Sequence, residues 1–280
     1  MPARREKGRK HGDPGGRGDP QREKGDPPRR WLRTAHRRQF PDFIIIGAQR
    51  GGTTSLYEYL TAHPDVGAAH RKEVHFFDRH YGRGVDWYRA HFPLEGEYPI
   101  VGEASPYYLF HPSVPERLRE VVPEAKLIAL LRNPVDRAYS QYHMKVSRGV
   151  ESLSFDEAIE REPERLAACD DPTGAAWRHH SYLARGRYAE QLERWLRRFS
   201  RDKMLILKSE ELYAEPQRVL GQVQHYLGLS PHTPAQFTLH HKASYSAMDA
   251  ATRRRLSEYF APHNRALYAL LGRDFGWEDE

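Results

Sequence analysis

The feature that most constrains this chain is an apolar, β-branched run that leads through a glycine-rich turn straight into a helical pattern. Residues Phe43-Ile44-Ile45-Ile46 predict a buried strand. Residues 53–62 predict a helix, because their apolar side chains recur at helical spacing. The turn between them is Gly47-Ala48-Gln49-Arg50-Gly51-Gly52. A buried strand that enters a helix through a tight turn is the repeating unit of a parallel α/β sheet.

The same alternation continues through the rest of the chain. Further strands are predicted at 99–101, 125–131 and 204–207, and helices at 112–122, 134–147, 155–162, 188–199, 216–227 and 252–271. This order predicts one α/β domain with a P-loop-like parallel sheet and helices on both faces. Ligands of such sheets bind at the carboxyl ends of the strands, which directs attention to the loops that follow them.

The positive charge of the chain is concentrated at its start. The formal net charge is +6, but residues 1–38 alone hold 13 Lys/Arg and 5 Asp/Glu, so the other 242 residues carry a net −2. The first 38 residues are also rich in glycine and proline and poor in apolar residues, which predicts a basic disordered tail before a domain at 39–280. A solvated extension is the favoured interpretation of this tail, and nucleic-acid binding through it is an alternative.

Composition excludes several other classes of protein. A single cysteine, Cys169, excludes a disulfide scaffold and a zinc site built from several cysteines. The longest apolar stretch is far below the ~18–20 residues needed to span a bilayer. With no secretory signal pattern in the sequence, we expect a cytoplasmic location. The oligomeric state cannot be predicted.

The first strand–loop–helix unit has the chemistry of a phosphate-binding loop. Glycines let backbone N–H groups approach an anion, and the helix N-terminus adds a favourable potential. Gly47 and Gly52 match the start of the pattern G-x-x-x-x-G-K-[ST], but Thr53 stands where the lysine is required, and the basic residue is Arg50 inside the loop. The loop therefore predicts phosphate binding without the usual magnesium nucleotide. A variant P-loop kinase or nucleotidase, or a simple tight turn, are the alternatives.

A second candidate anion site follows the strand at 125–131. Arg132 stands at the carboxyl end of that strand, and Ser140 lies about two turns into the next helix. Taken alone, Arg132 is better explained by an ion pair and Ser140 by packing. A second site after a second strand nonetheless suggests a ligand that carries phosphate at two separated places.

Together these segments resemble the sulfotransferases that use 3′-phosphoadenosine 5′-phosphosulfate (PAPS). Three further segments are similar to that family: Lys72 to Asp78 (KEVHFFD), Gly102 to Tyr108 (GEASPYY), and the closing stretch from His263 to Trp277. The KEVHFFD string resembles the heparan-sulfate and bacterial carbohydrate branch. The resemblance covers residues 40–280 and implies transfer of a sulfuryl group from PAPS to the hydroxyl of a sugar or small metabolite, with no metal.

The resemblance also implies roles for individual residues. The 5′-phosphosulfate loop corresponds to Arg50, Gly51, Gly52, Thr53, Thr54 and Ser55, and the 3′-phosphate site to Arg132 and Ser140. Glu73 corresponds to the carboxylate taken as general base, a role that suits the poor nucleophilicity of a hydroxyl. His75 is a candidate to orient Glu73 or the acceptor, because an extended segment would place both side chains on one face. The alternatives are a surface ion pair of Glu73 with Lys72 or Arg71 and a core histidine at position 75.

The chain departs from the family pattern at two places. Arg50 replaces the usual loop lysine, so its assistance to the leaving group is purely electrostatic. The animal members have a disulfide-closed loop and a lysine-bearing glycine-rich segment near the C-terminus. Here that place is taken by a different local sequence, in which Lys242 and Tyr245 are candidate substitutes for nucleotide contacts. Residues 79–98 and 165–187, rich in aromatic and basic side chains, are candidate acceptor walls.

Overall fold

The computed structural model describes residues 25–171, 173–238 and 245–279. Their strands form one five-stranded sheet in the order β2-β3-β1-β4-β5, and every neighbouring pair is parallel. The strands are β1 (Phe43–Gly47), β2 (Val66–Ala68), β3 (Ile100–Ala104), β4 (Lys126–Leu131) and β5 (Met204–Lys208).

Helices connect these strands and cover the sheet. They are α1 (Arg29–Leu32), α2 (Thr53–Thr61), α3 (Val85–Arg89), α4 (Val114–Val121), α5 (Pro134–Ser147), α6 (Phe155–Glu160), α7 (Glu162–Ala167), α8 (Ala175–His180), α9 (Tyr188–Leu196), α10 (Ser209–Ala214), α11 (Pro216–Leu227) and α12 (Ala250–Leu271). The predicted helices 134–147 and 216–227 have the predicted bounds. The predicted helix 155–162 ends earlier and is followed by α7 as a separate helix.

Both faces of the sheet are buried. In β1, Ile44 and Ile46 belong to one apolar cluster, whereas Phe43 and Ile45 belong to another on the opposite face. Side chains alternate between faces along a strand, so a strand covered on both sides must be apolar throughout. The predicted fold, a parallel sheet with helices on both faces, is confirmed.

The strand order determines where a ligand can bind. The central strand β1 lies between β3 and β4, with Phe43 in register with both Gly102 and Lys126. The loops that leave the carboxyl ends of these three strands therefore meet at one edge. This places the Gly47–Gly52 turn next to Arg132 and to the segment after Ala104.

Sequence patterns missed two features of the fold. Strand β2 is only three residues long, too short to carry a period-two pattern. The second feature is at the end of the predicted disordered tail, 1–38, because its last residues pack on the domain. Ala35 is buried, and the guanidinium of Arg38 donates a 2.6 Å hydrogen bond to the carbonyl of Phe92. Residues 1–24 lie outside the described residues.

Within the three described ranges, no helix combines the length and apolar character that crossing a bilayer requires.

Candidate active site

The turn after β1 is held closely against its neighbours. A Cβ atom on Gly51 would lie 2.6 Å from the carbonyl oxygen of Leu130, so only glycine fits there. The hydroxyl of Ser209, at the start of α10, donates a 2.7 Å hydrogen bond to the carbonyl of Gly51. Gly52 has a left-handed φ of 88° and forms the N-cap of α2. The turn is thus held in place by contacts from β4 and from α10.

Helix α2 begins directly at this turn. Thr53 and Ser55 are buried in its first turn, and Thr54 is half-buried. The first N–H groups of a helix have no acceptor within the helix, so they favour an anion placed at its N-terminus. The local structure therefore has the geometry that the sequence predicted for a phosphate-binding loop.

Arg50 connects the two predicted anion sites. Its Nε donates to the hydroxyl of Ser140 at 2.9 Å, and its carbonyl accepts a 3.2 Å hydrogen bond from the Nη1 of Arg132. Burial lowers the pKa of the Arg50 guanidinium, with Tyr245 acting in the opposite direction and the neighbouring Arg132 lowering it further. A guanidinium still carries its charge at neutral pH. Cations crowded in this way favour binding of an anion between them.

Of the two residues predicted for further nucleotide contacts near the C-terminus, the structure describes only Tyr245. Tyr245 stacks on His143 with ring centroids 4.3 Å apart and meets the edge of Tyr139 at 5.3 Å. Both of these rings belong to α5, so Tyr245 packs on that helix. Lys242 lies outside the described residues.

Glu73 is attached to the carboxyl end of β3 through its backbone, whose N–H donates to the carbonyl of Ala104 at 3.1 Å. Its two carboxylate oxygens have separate partners. Oε2 lies 3.1 Å from the Nε2 of His75, and Oε1 lies 3.2 Å from the Nζ of Lys72. Burial would raise the pKa of Glu73, but the hydrogen bond from His75 and the charge of Lys72 outweigh it and lower the pKa to about 2. Glu73 is therefore ionised at neutral pH.

His75 bridges Glu73 to a second carboxylate. Its Nδ1 lies 2.9 Å from an oxygen of Asp78, whose side chain is fully buried. Burial disfavours the imidazolium, but the bonds to Asp78 and Glu73 more than compensate and raise the pKa of His75. Sequence reasoning missed Asp78, although its spacing of three residues from His75 was a usable signal.

The expectation of an extended segment at Glu73 and His75 is wrong. Both residues have left-handed backbone conformations, with φ of 62° and 55°. Such conformations are uncommon outside glycine, and here they turn the two side chains toward each other. The Lys72 contact expected for a surface ion pair is also present, but it occurs together with the His75 contact.

A buried hydrogen-bonded chain supports this segment from β3. Glu103, with no exposed surface, accepts from the Tyr88 hydroxyl at 2.7 Å and from the Ser105 hydroxyl at 3.0 Å. The oxygen of Ser105 in turn accepts from the backbone N–H of His75 at 3.3 Å. Burial raises the pKa of Glu103 to about 7, although both hydroxyl bonds act against that rise.

The two predicted acceptor walls differ in character. In 79–98, Trp87 is 3% exposed and packs on Phe76, so this aromatic side chain belongs to the core and does not line a surface. In 165–187, the half-buried helix α8 and the buried Arg185 are close to the loop, because the Arg185 guanidinium donates to the side-chain oxygen of Gln49. Neither Gln49 nor Arg185 was predicted as a site residue, since 136 residues separate them.

Comparison with known proteins identifies the family of this chain. Residues 40–265 match the sulfotransferase domain family. The chain is 34% identical over 265 residues to human heparan sulfate glucosamine 3-O-sulfotransferase 6, an alignment that covers 86% of this chain and 75% of the relative. It is 32% identical to the crystal structure of a sulfotransferase from Alicyclobacillus acidocaldarius, with a TM-score of 0.76 over 86% of this chain and 100% of that one.

A more distant structure shares the fold alone. Mouse sulfotransferase SULT7A1, solved in complex with PAP, is 14% identical with a TM-score of 0.52, and the match covers 85% of this chain and 90% of that one. With the family match and the 34% identical relative, the assignment is clear: this chain belongs to the family of PAPS-dependent sulfotransferases.

Proposed function

We propose that this sulfotransferase moves the sulfuryl group of PAPS to a hydroxyl of a carbohydrate acceptor, with Glu73 as the general base. The observation that carries the proposal is the position of an ionised, histidine-bound carboxylate at the carboxyl end of β3. The adjacent ends of β1 and β4 hold Arg50 and Arg132, and the Arg132 guanidinium donates a hydrogen bond to the backbone carbonyl of Arg50.

The residues of the loop suit the donor. The backbone around Gly51 and Gly52 and the first turn of α2 would surround the 5′-phosphosulfate, and Arg132 with Ser140 would bind the 3′-phosphate. The fit rests on the close packing at Gly51, which excludes a side chain, and on the hydrogen bond that joins Arg50 to Ser140. Lys242 and Tyr245 remain candidates for further nucleotide contacts.

The transfer requires one proton to move as two bonds change. The acceptor oxygen forms a bond to sulfur while its proton passes to the Glu73 carboxylate, and the bond from sulfur to the 5′-phosphate oxygen breaks with its electron pair. Charge then grows on the departing 3′,5′-bisphosphate, where Arg50 stabilises it electrostatically. The products are a sulfate ester and 3′,5′-phosphoadenosine.

His75 has a positioning role in this scheme. An imidazolium between Glu73 and Asp78 holds the carboxylate in one orientation and compensates two negative charges. A low pKa makes Glu73 a weak base in the ground state. Proton transfer therefore becomes favourable only as the new sulfur–oxygen bond makes the hydroxyl acidic, so transfer and bond formation are coupled.

A carbohydrate is the acceptor class that the relatives favour. The human relative is named for action on glucosamine of heparan sulfate, and another at 33% identity is bifunctional heparan sulfate N-deacetylase/N-sulfotransferase 3. The alternative of a variant P-loop kinase or nucleotidase loses support, because the family match covers most of the domain and position 53 is threonine.

The experiment is a transfer assay with PAPS and a panel of glucosamine-containing oligosaccharides, with Mg-ATP as the competing donor. The proposal predicts a sulfate ester and one 3′,5′-phosphoadenosine for each ester formed. Phosphorylated product from Mg-ATP, with no ester from PAPS, would overturn it.

A further inference from the structure

The carboxyl group of Glu103 lies in the apolar cluster that contains Ile44 and Ile46. Its register partner on β1 is Ile44, and side chains alternate along a strand, so Glu103 shares its face of β3 with Val101 of the same cluster. Glu103 has no exposed surface. A carboxyl group buried among apolar side chains is unfavourable unless hydrogen-bond partners compensate for the lost water. Glu103 takes no part in the proton transfer proposed above.

The two oxygens of Glu103 accept hydrogen bonds from two different hydroxyls. The Tyr88 hydroxyl lies 2.7 Å from Oε1, and the Ser105 hydroxyl lies 3.0 Å from Oε2. The Tyr88 ring is itself held in place, stacked on Phe76 with centroids 4.6 Å apart. A hydroxyl has one proton to donate, and a protonated carboxylic acid has one as well. Only the ionised carboxylate therefore accepts from both hydroxyls, whereas the protonated acid must donate to one of them and turn it away.

The Ser105 hydroxyl continues this chain to the catalytic pair. Its proton is used on Glu103, and its oxygen accepts the backbone N–H of His75 at 3.3 Å. His75 has a left-handed φ of 55°, a conformation that persists only with support from its surroundings. That backbone places the imidazole between Glu73 and Asp78. The protonation state of Glu103 is thus connected to the position of the imidazole through a single serine.

Glu103 is the member of this chain whose charge changes near neutral pH. Burial raises the pKa of Glu103 to about 7, with His75 acting to lower it and Asp78 acting to raise it. Asp78 itself is ionised, because His75 lowers its pKa further than burial raises it. Burial raises the pKa of the tyrosines that face Glu103, so their hydroxyls stay neutral: Tyr57, Tyr88 and Tyr108.

We propose that Glu103, acting through Ser105, is a positioning residue for the pair of Glu73 and His75, and that sulfuryl transfer is fast only when Glu103 is ionised. The inference rests on the proposed function and adds a pH requirement to it. Its consequence is a kcat that rises with pH through about 7. Glu73 cannot produce this acidic limb, because its pKa of about 2 leaves it ionised throughout that range.

The test measures kcat for transfer from PAPS between about pH 5 and pH 9. The wild-type enzyme should show the acidic limb. Glu103→Gln should have no such limb, because the amide does not ionise. Its kcat at about pH 8 should be about fivefold below wild type, because an amide oxygen accepts from one hydroxyl while its NH₂ group must donate to the other. The KM for PAPS should not change, since Glu103 lies outside the donor loop.

Tyr88→Phe separates this role from a purely structural one. The variant keeps the stacked ring and the bond from Ser105, but it removes a hydrogen bond that lowers the pKa of Glu103. The acidic limb should therefore move to higher pH, with the largest loss of kcat near neutral pH. Tyr81→Phe is the matched control, because the Tyr81 hydroxyl donates to the exposed Glu120 at 2.7 Å and its removal should leave the pH profile unchanged.

Ser105→Ala tests the route of the effect. It should lower kcat about as much as Glu103→Gln does, and the two changes together should cost no more than either one alone, because both interrupt the same chain. NMR titration of the His75 ring provides a readout that does not depend on turnover. The wild-type ring should show a second inflection near pH 7, and Glu103→Gln should not.

Three results would overturn the inference: an acidic limb that persists in Glu103→Gln, a limb that stays in place in Tyr88→Phe, or losses in the double variant that add. The Tyr88→Phe result stands by itself if Glu103→Gln does not fold. Failure to sulfate any acceptor would instead defeat the proposed function, and the inflection of the His75 ring would still decide whether Glu103 is coupled to His75.

Discussion

Glu73 and His75 contact each other at 3.1 Å although they are only two residues apart, and left-handed backbone conformations at both positions make this possible. Uncommon backbone conformations of this kind persist only where the surroundings enforce them. Here the enforcing contacts are the backbone bond from Glu73 to Ala104 and the bond from His75 to Ser105. Contacts at the carboxyl end of β3 therefore hold Glu73 and His75 in place.

Removing the charge of Glu73 should stop sulfuryl transfer without weakening the binding of the donor nucleotide. Glu73→Gln keeps the size of the side chain but cannot accept the proton, so we expect kcat to fall by at least about 100-fold. Calorimetry should give an unchanged affinity for 3′,5′-phosphoadenosine. Glu124→Gln, an exposed carboxylate paired with Lys203, is the control. Turnover of Glu73→Gln near the wild-type rate would exclude Glu73 as the base.

Replacing Asp78 should change the pH dependence of kcat/KM, because Asp78 raises the pKa of His75. Burial opposes the charge of His75, but Asp78 and Glu73 raise its pKa, so the stabilising ion contact is present at lower pH and lost as pH rises through that raised value. Asp78→Asn should lower the pKa of His75 and shift the alkaline limb of kcat/KM to lower pH. NMR titration of the His75 ring checks the cause directly.

Asp65→Asn is the matched control for that experiment, because Asp65 also faces a histidine, His63, but lies before β2 at the opposite end of the sheet. If the pKa of His75 changes in Asp78→Asn but the alkaline limb of kcat/KM does not move, His75 does not govern the pH dependence of the reaction.

Much of the donor loop could be predicted from sequence, because its requirements are local. Within the segment from Phe43 to Thr53, a strand is followed by a glycine with no room for a side chain and then by the start of a helix. The periodic patterns of α5 and α11 are equally local. Strand β2 was missed because three residues carry no period.

The acceptor side could not be predicted in the same way. The orientation of Glu73 toward His75 depends on left-handed φ values, and non-glycine residues give no sequence signal for them. The bond from Arg185 to Gln49 joins positions 136 residues apart. Lys145 appears in sequence as one more polar residue of a helix, and the 2.9 Å contact of its Nζ with the Nδ1 of His179 joins positions 34 residues apart.

Gly51→Ala should damage both stability and donor binding. The new Cβ would lie 2.6 Å from one backbone carbonyl oxygen and 3.0 Å from another, and the backbone of β4 cannot yield as a flexible side chain would. We expect a loss of about 1–3 kcal/mol in the free energy of unfolding, measured by urea denaturation. Binding of 3′,5′-phosphoadenosine should weaken as well.

Gly221→Ala provides the opposite control. Gly221 lies within α11, and an added Cβ meets no atom within 4 Å. Alanine is favoured over glycine inside a helix by about 0.5–1 kcal/mol, so this variant should be slightly more stable than wild type. Equal effects at the two glycines would contradict the steric argument at Gly51.

Glu103 should make the protein less stable as pH rises. Burial raises its folded pKa to about 7, above the ordinary value for glutamate, so its stabilising protonated form is fully present below the unfolded pKa and is lost as pH rises through about 7. This contribution amounts to about 3 kcal/mol of unfolding free energy between pH 4 and pH 8. Glu103→Gln cannot ionise and, like the protonated acid, has one accepting oxygen and one donor, so its thermal midpoint should fall less between pH 5 and pH 8. An identical fall in both proteins would show that Glu103 does not change its protonation state between pH 5 and pH 8.

The measurement that tests the central claim most directly is a calorimetric titration of the wild-type protein with 3′,5′-phosphoadenosine, with adenosine 5′-phosphate and with Mg-ATP. We predict binding of the 3′,5′-bisphosphate in the presence of EDTA and weaker binding of the 5′-phosphate. Arg132→Ala should weaken binding of the bisphosphate about tenfold or more and that of the 5′-phosphate little, because only the former carries the 3′-phosphate assigned to Arg132. Binding of Mg-ATP alone, with no binding of the bisphosphate, would contradict the account.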